Sequence, residues 1–197
     1  MNPDLVAIAA LILAYLMGSV SAAILVCRAM GLPDPRTDGS RNPGTTNVLR
    51  IGGKPAAILT LAGDMLKGVI PVVLARKLDI DDFMLGAVGF AAFIGHLYPV
   101  FFRFEGGKGV ATALGVMLAL HWGLGLAVVG IWLTAFALTR ISSAGAIAGF
   151  IAAPFLTAWL MPEATLAMLV ISLFLLARHR GNIRALLNGT ERKFGKK

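Results

Sequence analysis

A chain of 197 residues that is 57% hydrophobic and only 14% charged, with a mean hydropathy of +0.81, is too apolar for a water-soluble domain of its size. Lipid is the solvent such a composition needs, and there only helices or a closed barrel satisfy the backbone. The net charge of +8 does not build a nucleic-acid face, because the cations cluster at the ends of apolar segments.

The apolar runs are continuous rather than alternating with period two, which predicts helices. They lie near 5–27, 55–75, 83–102, 110–120, 123–139, 144–161 and 164–177, and read as one all-α polytopic membrane domain over 1–197. The first segment lacks the basic region and small-residue cleavage site of a secretory signal, so a retained helix is expected. Cys27 is the only cysteine, which excludes an internal disulfide. Asp64 and Lys67 lie three residues apart on one helical face inside the second segment, where charges pair or serve a polar cavity. The fourth segment is short, and Gly123 and Gly125 beside His121 and Trp122 favour a break there.

Charge orients the chain. With the 28–54 loop inside, Arg28, Arg36, Arg41, Arg50 and Lys54 are inside, as are Arg103, Lys108 and the tail cations Arg178, Arg180, Arg184, Arg192, Lys193, Lys196 and Lys197. Only Arg76 and Lys77 are clearly outside. That asymmetry predicts an external N-terminus, a cytoplasmic C-terminus and an odd number of spans. Seven spans put Arg140 inside; five, the alternative count, put it outside. Seven is preferred.

Three polar islands interrupt the apolar chain, all on the cytoplasmic side. In DGSRNPGTTNVLR, Gly39, Pro43 and Gly44 make a turn-rich loop. Ser40, Arg41, Asn42, Thr45, Thr46, Asn47 and Arg50 offer donors to an anion, although Thr45 or Asn47 could instead cap the next helix. Ser40 is disfavoured as a nucleophile because no His or Asp stands near it in sequence. In FEGGKGVATALG, Gly106, Gly107 and Gly109 admit close backbone approach, Lys108 adds charge and a helix follows at once. Thr112 falls four residues after the lysine, so the segment is no Walker A motif. In ARHRGN, Arg178, His179, Arg180 and Asn182 follow the last span; His179 suits proton handling or a phosphate hydrogen bond. Ser142 and Ser143, beside Arg140, add hydroxyls from a smaller inward loop. His96, His121 and His179 are scattered, and neither a metal site nor a cofactor is expected.

The islands, with GSVSAAILV (18–26), GSRNPGTTNVLR (39–50), GDMLKG (63–68), GGKGVAT (106–112) and RHRGNIRALLNGTERK (178–193) in this order, closely resemble the bacterial PlsY family. That resemblance implies an integral-membrane acyltransferase of the bacterial inner membrane, seven-helical, with its active site facing the cytoplasm. It implies transfer of an acyl group from acyl-phosphate to glycerol-3-phosphate to give lysophosphatidic acid, downstream of an acyl-phosphate-forming enzyme. It also implies that Ser40 and Arg41 are an essential pair, that Gly106, Gly107, Lys108 and Gly109 bind phosphate, that His179 and Asn182 are active, and that Glu191 is a structural acid. Ser21 departs from the proline expected in GSIP and is expected to affect packing more than chemistry.

Two anionic substrates held together demand several cations, and Arg41, Arg50, Lys108, Arg178 and Arg180 are candidates. An acyl-phosphate carries a good leaving group, so direct transfer in a ternary complex is simpler than an acyl-enzyme. Either His179 or a donor phosphate oxygen then accepts the proton; the resemblance favours the oxygen and makes His179 a binding residue. The H-x4-D pattern shared by acyltransferases that use acyl-CoA or acyl-carrier protein is missing, since Phe101, Leu126 and Arg184 follow the three histidines at that spacing. The competing reading is a small organic-phosphate transporter or channel with Asp64 and Lys67 on its path.

Overall fold

The architecture is that of a computed structural model, which describes residues 3–194; the tail cations Lys196 and Lys197 lie outside the described residues. Nine α-helices are present among them: α1 (Pro3–Gly18), α2 (Ala22–Ala29), α3 (Thr45–Lys77), α4 (Asp82–Leu97), α5 (Val110–Leu120), α6 (Trp122–Thr139), α7 (Ser142–Leu160), α8 (Thr165–Arg178) and α9 (Arg180–Leu187). Short 3-10 turns follow α4 and precede α8, and no strand occurs among the described residues. The all-helical reading holds. Five stretches (3–29, 45–77, 82–102, 122–139 and 142–160) are long and apolar enough to cross a membrane. A sixth counts if α8 and α9, bent by 60°, are taken together, and α5 is a short apolar helix of 11 residues.

The breaks have local causes. The first apolar run is two helices, because Ser21 caps α2 by accepting the Ile24 N–H at 3.5 Å. The residue expected to trouble packing therefore starts a helix. The loop expected over 28–54 ends early, since the chain is helical from Thr45. Within α3, Gly53 has φ +74° and Pro55 follows, which offsets a short first portion from the membrane-length remainder. The break expected near His121 is present: its Nδ1 accepts the Leu124 N–H at 3.3 Å and caps α6.

Close backbone approach holds the bundle together. A β-carbon on Gly68 would collide with the Thr112 carbonyl, and one on Gly115 with that of Met65, so α3 and α5 pack without intervening side chains. Gly18 against Ala92 and Gly95 against Tyr15 do the same for α1 and α4. The core behind them includes Phe93, Leu97, Met117 and Phe150. Arg76 donates to the Leu120 carbonyl at 2.7 Å, tying the C-terminal ends of α3 and α5. With Gly68 beside Thr112, α5 runs along only the second half of α3. The segment that leads into it is drawn inward only at its end: Arg103, Phe104 and Glu105 are exposed, whereas Gly107 and Gly109 are buried.

Candidate active site

The first island is shaped by Asn47. Its buried side chain donates to the Pro35 carbonyl (2.9 Å) and the Asp38 carbonyl (3.0 Å), and accepts the Ser40 N–H (2.7 Å). Its polar atoms are thus spent on the loop, in which Ser40 and Arg41 are exposed, Arg41 with φ +55°. Neither Thr45 nor Asn47 caps α3; Gly44 stands at that position with no side-chain cap, and Thr45 Oγ1 is buried without a partner. Arg36 joins this loop to the next island. It binds Asp34 at 2.7 Å and Glu105 at 3.1 Å, and its hydrogen bond to Asp34 holds that carboxyl below the usual range.

In the second island, Arg178 reaches from the end of α8 to both glycine carbonyls, at 2.8 Å from that of Gly106 and at 2.9 and 3.2 Å from that of Gly107. Gly107 is wedged between the His96 ring and the Pro43 carbonyl. Gly109, with φ +88°, starts α5, whose first turn has no side-chain cap. The positive end of that helix and its free N–H groups therefore open beside Lys108. Lys108 Nζ donates to Asn182 Oδ1 at 2.5 Å, joining the second and third islands. Burial lowers its pKa from the ordinary lysine value; Glu191 opposes that, and Arg178 and Arg50 add to it.

His179 occupies the bend between α8 and α9. Its Nδ1 lies 2.8 Å from the Leu175 carbonyl, which can only accept, so Nδ1 carries the proton and Nε2 is the free lone pair of the neutral ring. Burial pushes this imidazole down to about 4. Asn182 donates to Glu191 Oε1 at 2.6 Å, and Ser143 Oγ donates to the same oxygen at 2.7 Å. One carboxylate thus orders an amide that in turn holds the lysine. The Phe194 N–H donates to the Arg140 carbonyl (2.7 Å), and the Phe194 ring meets Phe136 edge-on, so the tail is fastened to the α6–α7 corner.

Between these groups lies an open cleft of about 430 Å³, lined by Asn42, Tyr98, Lys108, Phe174, Ala177, Arg178 and Arg180. Its lining mixes cations and an amide with the apolar surfaces of Tyr98, Phe174 and Ala177, and Arg178 lies 5.8 Å over the Tyr98 ring. Such a cleft can hold a phosphate and an acyl chain side by side. Asn42, Lys108, Arg178 and Arg180 meet there, and Asn182 touches it through Lys108. Arg50 is exposed but close enough to Lys108 to lower its pKa. Thr46 is half-buried in the first turn of α3, and Ser142 opens α7. Thr112 is buried within the bundle, its Oγ1 unpartnered, and Ser143 serves Glu191. Asp64 and Lys67 form a buried ion pair of 2.9 Å below the loop. Sequence reasoning did not name Tyr98 or Phe174, and it read Arg36 only as a cytoplasmic cation and His96 only as a scattered histidine. The only signal for any of them was aromatic residues at the ends of apolar runs.

Residues 8–189 match the sequence model of glycerol-3-phosphate acyltransferase. The chain is 54% identical over 186 residues to a glycerol-3-phosphate acyltransferase of Methylococcus capsulatus, covering 93% of this chain and 94% of that one. It is 49% identical over 184 residues to that of Photobacterium profundum, covering 93% and 91%. Two crystal structures of the integral-membrane glycerol 3-phosphate acyltransferase PlsY (YgiH) superpose closely. The glycerol 3-phosphate form gives a TM-score of 0.91 at 39% identity over 96% of both chains. The lysophosphatidic acid form gives 0.89 at 38% identity over 96% and 95%. A multi-pass helical membrane fold, a cleft lined by both cationic and apolar side chains, and these likenesses agree: the chain is an acyltransferase and belongs to the glycerol-3-phosphate acyltransferase family.

Proposed function

We propose that this enzyme transfers a fatty acyl group from acyl-phosphate to the 1-hydroxyl of sn-glycerol-3-phosphate, giving 1-acyl-glycerol-3-phosphate and inorganic phosphate. The observation that carries the reading is the cleft itself, where Lys108, Arg178 and Arg180 line one space with Tyr98 and Phe174. A charged head with a long chain suits that pairing, and a second phosphate fits beside the Gly106–Gly109 segment and the uncapped start of α5.

Transfer is direct. The acceptor O1 attacks the donor's carbonyl carbon, the bond from that carbon to the phosphate oxygen breaks, and the O1 proton ends on the departing phosphate. Lys108, held by Asn182, balances the charge on the leaving group, and Arg178 fixes the loop peptides so that little reorganisation accompanies the step. Ser40, Arg41, Asn42 and Arg50 bind phosphate from the rim. His179 is neutral near pH 7 and binds through Nε2 rather than carrying charge.

The helices make seven crossings: α1 with α2 as the first, then α3 to α8 singly. The Ser143–Glu191 and Arg140–Phe194 hydrogen bonds support this count, since they bring the α6–α7 corner to the face that holds the islands. The positive-inside rule then sets the N-terminus outside, and the C-terminus and cleft toward the cytoplasm of a bacterial inner membrane. An acyl-phosphate-forming enzyme must work upstream. Purified protein given acyl-phosphate and glycerol-3-phosphate should form lysophosphatidate and phosphate one to one, and none when acyl-CoA replaces the donor. Activity with acyl-CoA alone would overturn the donor assignment.

A further inference from the structure

The polar groups buried beneath the cleft are used by nothing in the reaction above. His96, 6% exposed, is the penultimate residue of α4; its Nδ1 faces Asp64 Oδ1 at 3.6 Å, within ion-pair reach but beyond hydrogen-bond distance, and neither atom has another hydrogen-bond partner. Asp64, 2% exposed, pairs with Lys67 at 2.9 Å, and Lys67 also donates to the Val20 carbonyl (2.7 Å) left open by the break between α1 and α2. On the other side of the imidazole lies Gly107. Its N–H donates to the His96 carbonyl at 3.3 Å, and a β-carbon there would collide with His96 Nε2.

Lys67 and Asp64 already neutralise each other, and the Val20 carbonyl accepts a further hydrogen bond from the ammonium. A pair buried for stability alone needs no third ionisable partner, and apolar side chains would often serve as well. Ionisable groups inside a membrane bundle usually act on something. What this third group touches is the loop. Gly106, Gly107 and Gly109 give that segment no side chains with which to order itself, and glycine loses the most backbone entropy on being fixed. Its order must be imposed from outside. Arg178 grips the two carbonyls from the cleft side, and the His96 ring closes the opposite side.

We propose that His96 is a positioning residue: oriented by Asp64, its imidazole supports the Gly106–Gly107 peptide from below and thereby sets where Lys108 and the start of α5 stand for the acceptor phosphate. This rests on the reading of Gly106–Gly109 as the loop that receives glycerol-3-phosphate.

Steady-state kinetics with acyl-phosphate and glycerol-3-phosphate varied separately tests it. His96→Ala should raise KM for glycerol-3-phosphate about tenfold, because the loop loses the ring that backs Gly107, and change kcat less. His96→Asn, which returns an N–H close to the place of Nδ1, should recover most of that loss. Asp64→Leu combined with Lys67→Met removes the oxygen that faces His96, leaves no buried charge unpaired and should raise the same KM with His96 intact; it carries the test should His96→Ala fail to fold. Wild-type KM in the double variant, or His96→Asn no better than an apolar His96→Leu, would overturn the proposal. A wild-type enzyme inert toward these two substrates would instead sink the assigned reaction.

Discussion

Lys108 and Asn182 stand 74 positions apart in the chain, yet their side chains meet at 2.5 Å on the wall of the cleft. Asn182 is itself held by Glu191, and Glu191 by Ser143, so the position of the lysine depends on a hydroxyl at the start of α7. Ser143→Ala should lower kcat/KM about tenfold, since hydrogen bonds to charged groups are worth about 1.5–3 kcal/mol. Glu191→Ala frees both Asn182 and Ser143 and should cost about a hundredfold. Steady-state rates check both; a silent Glu191→Ala would break the chain of dependence.

Much of this site was legible in sequence, and what was missed has a common cause. The three polar islands stand out because Gly, Arg and Asn are conspicuous at the ends of apolar runs. The break before α6 was legible because His121, Trp122, Gly123 and Gly125 are local signals. Ser143 read as one more hydroxyl for substrate, because its partner Glu191 lies 48 residues away. His96 read as a scattered histidine, because Asp64 and Gly107 meet it only once α3, α4 and the loop have packed. Asn47 read as a phosphate ligand or a helix cap, and only the folded loop shows its hydrogen bonds spent on Pro35, Asp38 and Ser40. The break at Ser21 was masked by an unbroken apolar composition.

Burial and the neighbouring Arg178 and Arg50 lower the Lys108 pKa despite Glu191, so its charge is lost earlier than a free lysine's as pH rises. The alkaline limb of kcat/KM should therefore fall below the ordinary lysine value. Lys108→Arg, weaker in absolute rate, keeps its charge and should move that limb upward. Profiles over roughly pH 7 to 10 read the difference directly; coincident limbs in the two proteins would contradict it.

His179 gives a pH effect of opposite sense on stability. Burial takes its pKa from 6.5 in the unfolded chain to about 4 in the folded one. Between those values the unfolded state binds a proton that the native state refuses, so stability falls as pH drops through that window, by roughly 3 kcal/mol at its full extent. The thermal midpoint in detergent should decline from pH 6.5 toward 4, and decline less steeply in His179→Gln. Parallel slopes would show that other groups govern the acid limb.

Arg140 is exposed at the α6–α7 corner, and the proposed seven crossings set it on the cytoplasmic side. In a Cys27→Ser background, Arg140→Cys should resist an impermeant thiol reagent in intact cells whose outer membrane is permeable, and react after lysis. Labelling without lysis would favour five crossings.

Direct transfer in a ternary complex is tested most sharply by mixing the enzyme with acyl-phosphate in the absence of acceptor, while following phosphate release and intact protein mass together. The account expects unmodified protein and no burst of phosphate until glycerol-3-phosphate is added, after which phosphate and lysophosphatidate appear in equal amounts. A stoichiometric phosphate burst with an acyl adduct on Ser40, discharged on adding glycerol-3-phosphate, would contradict it.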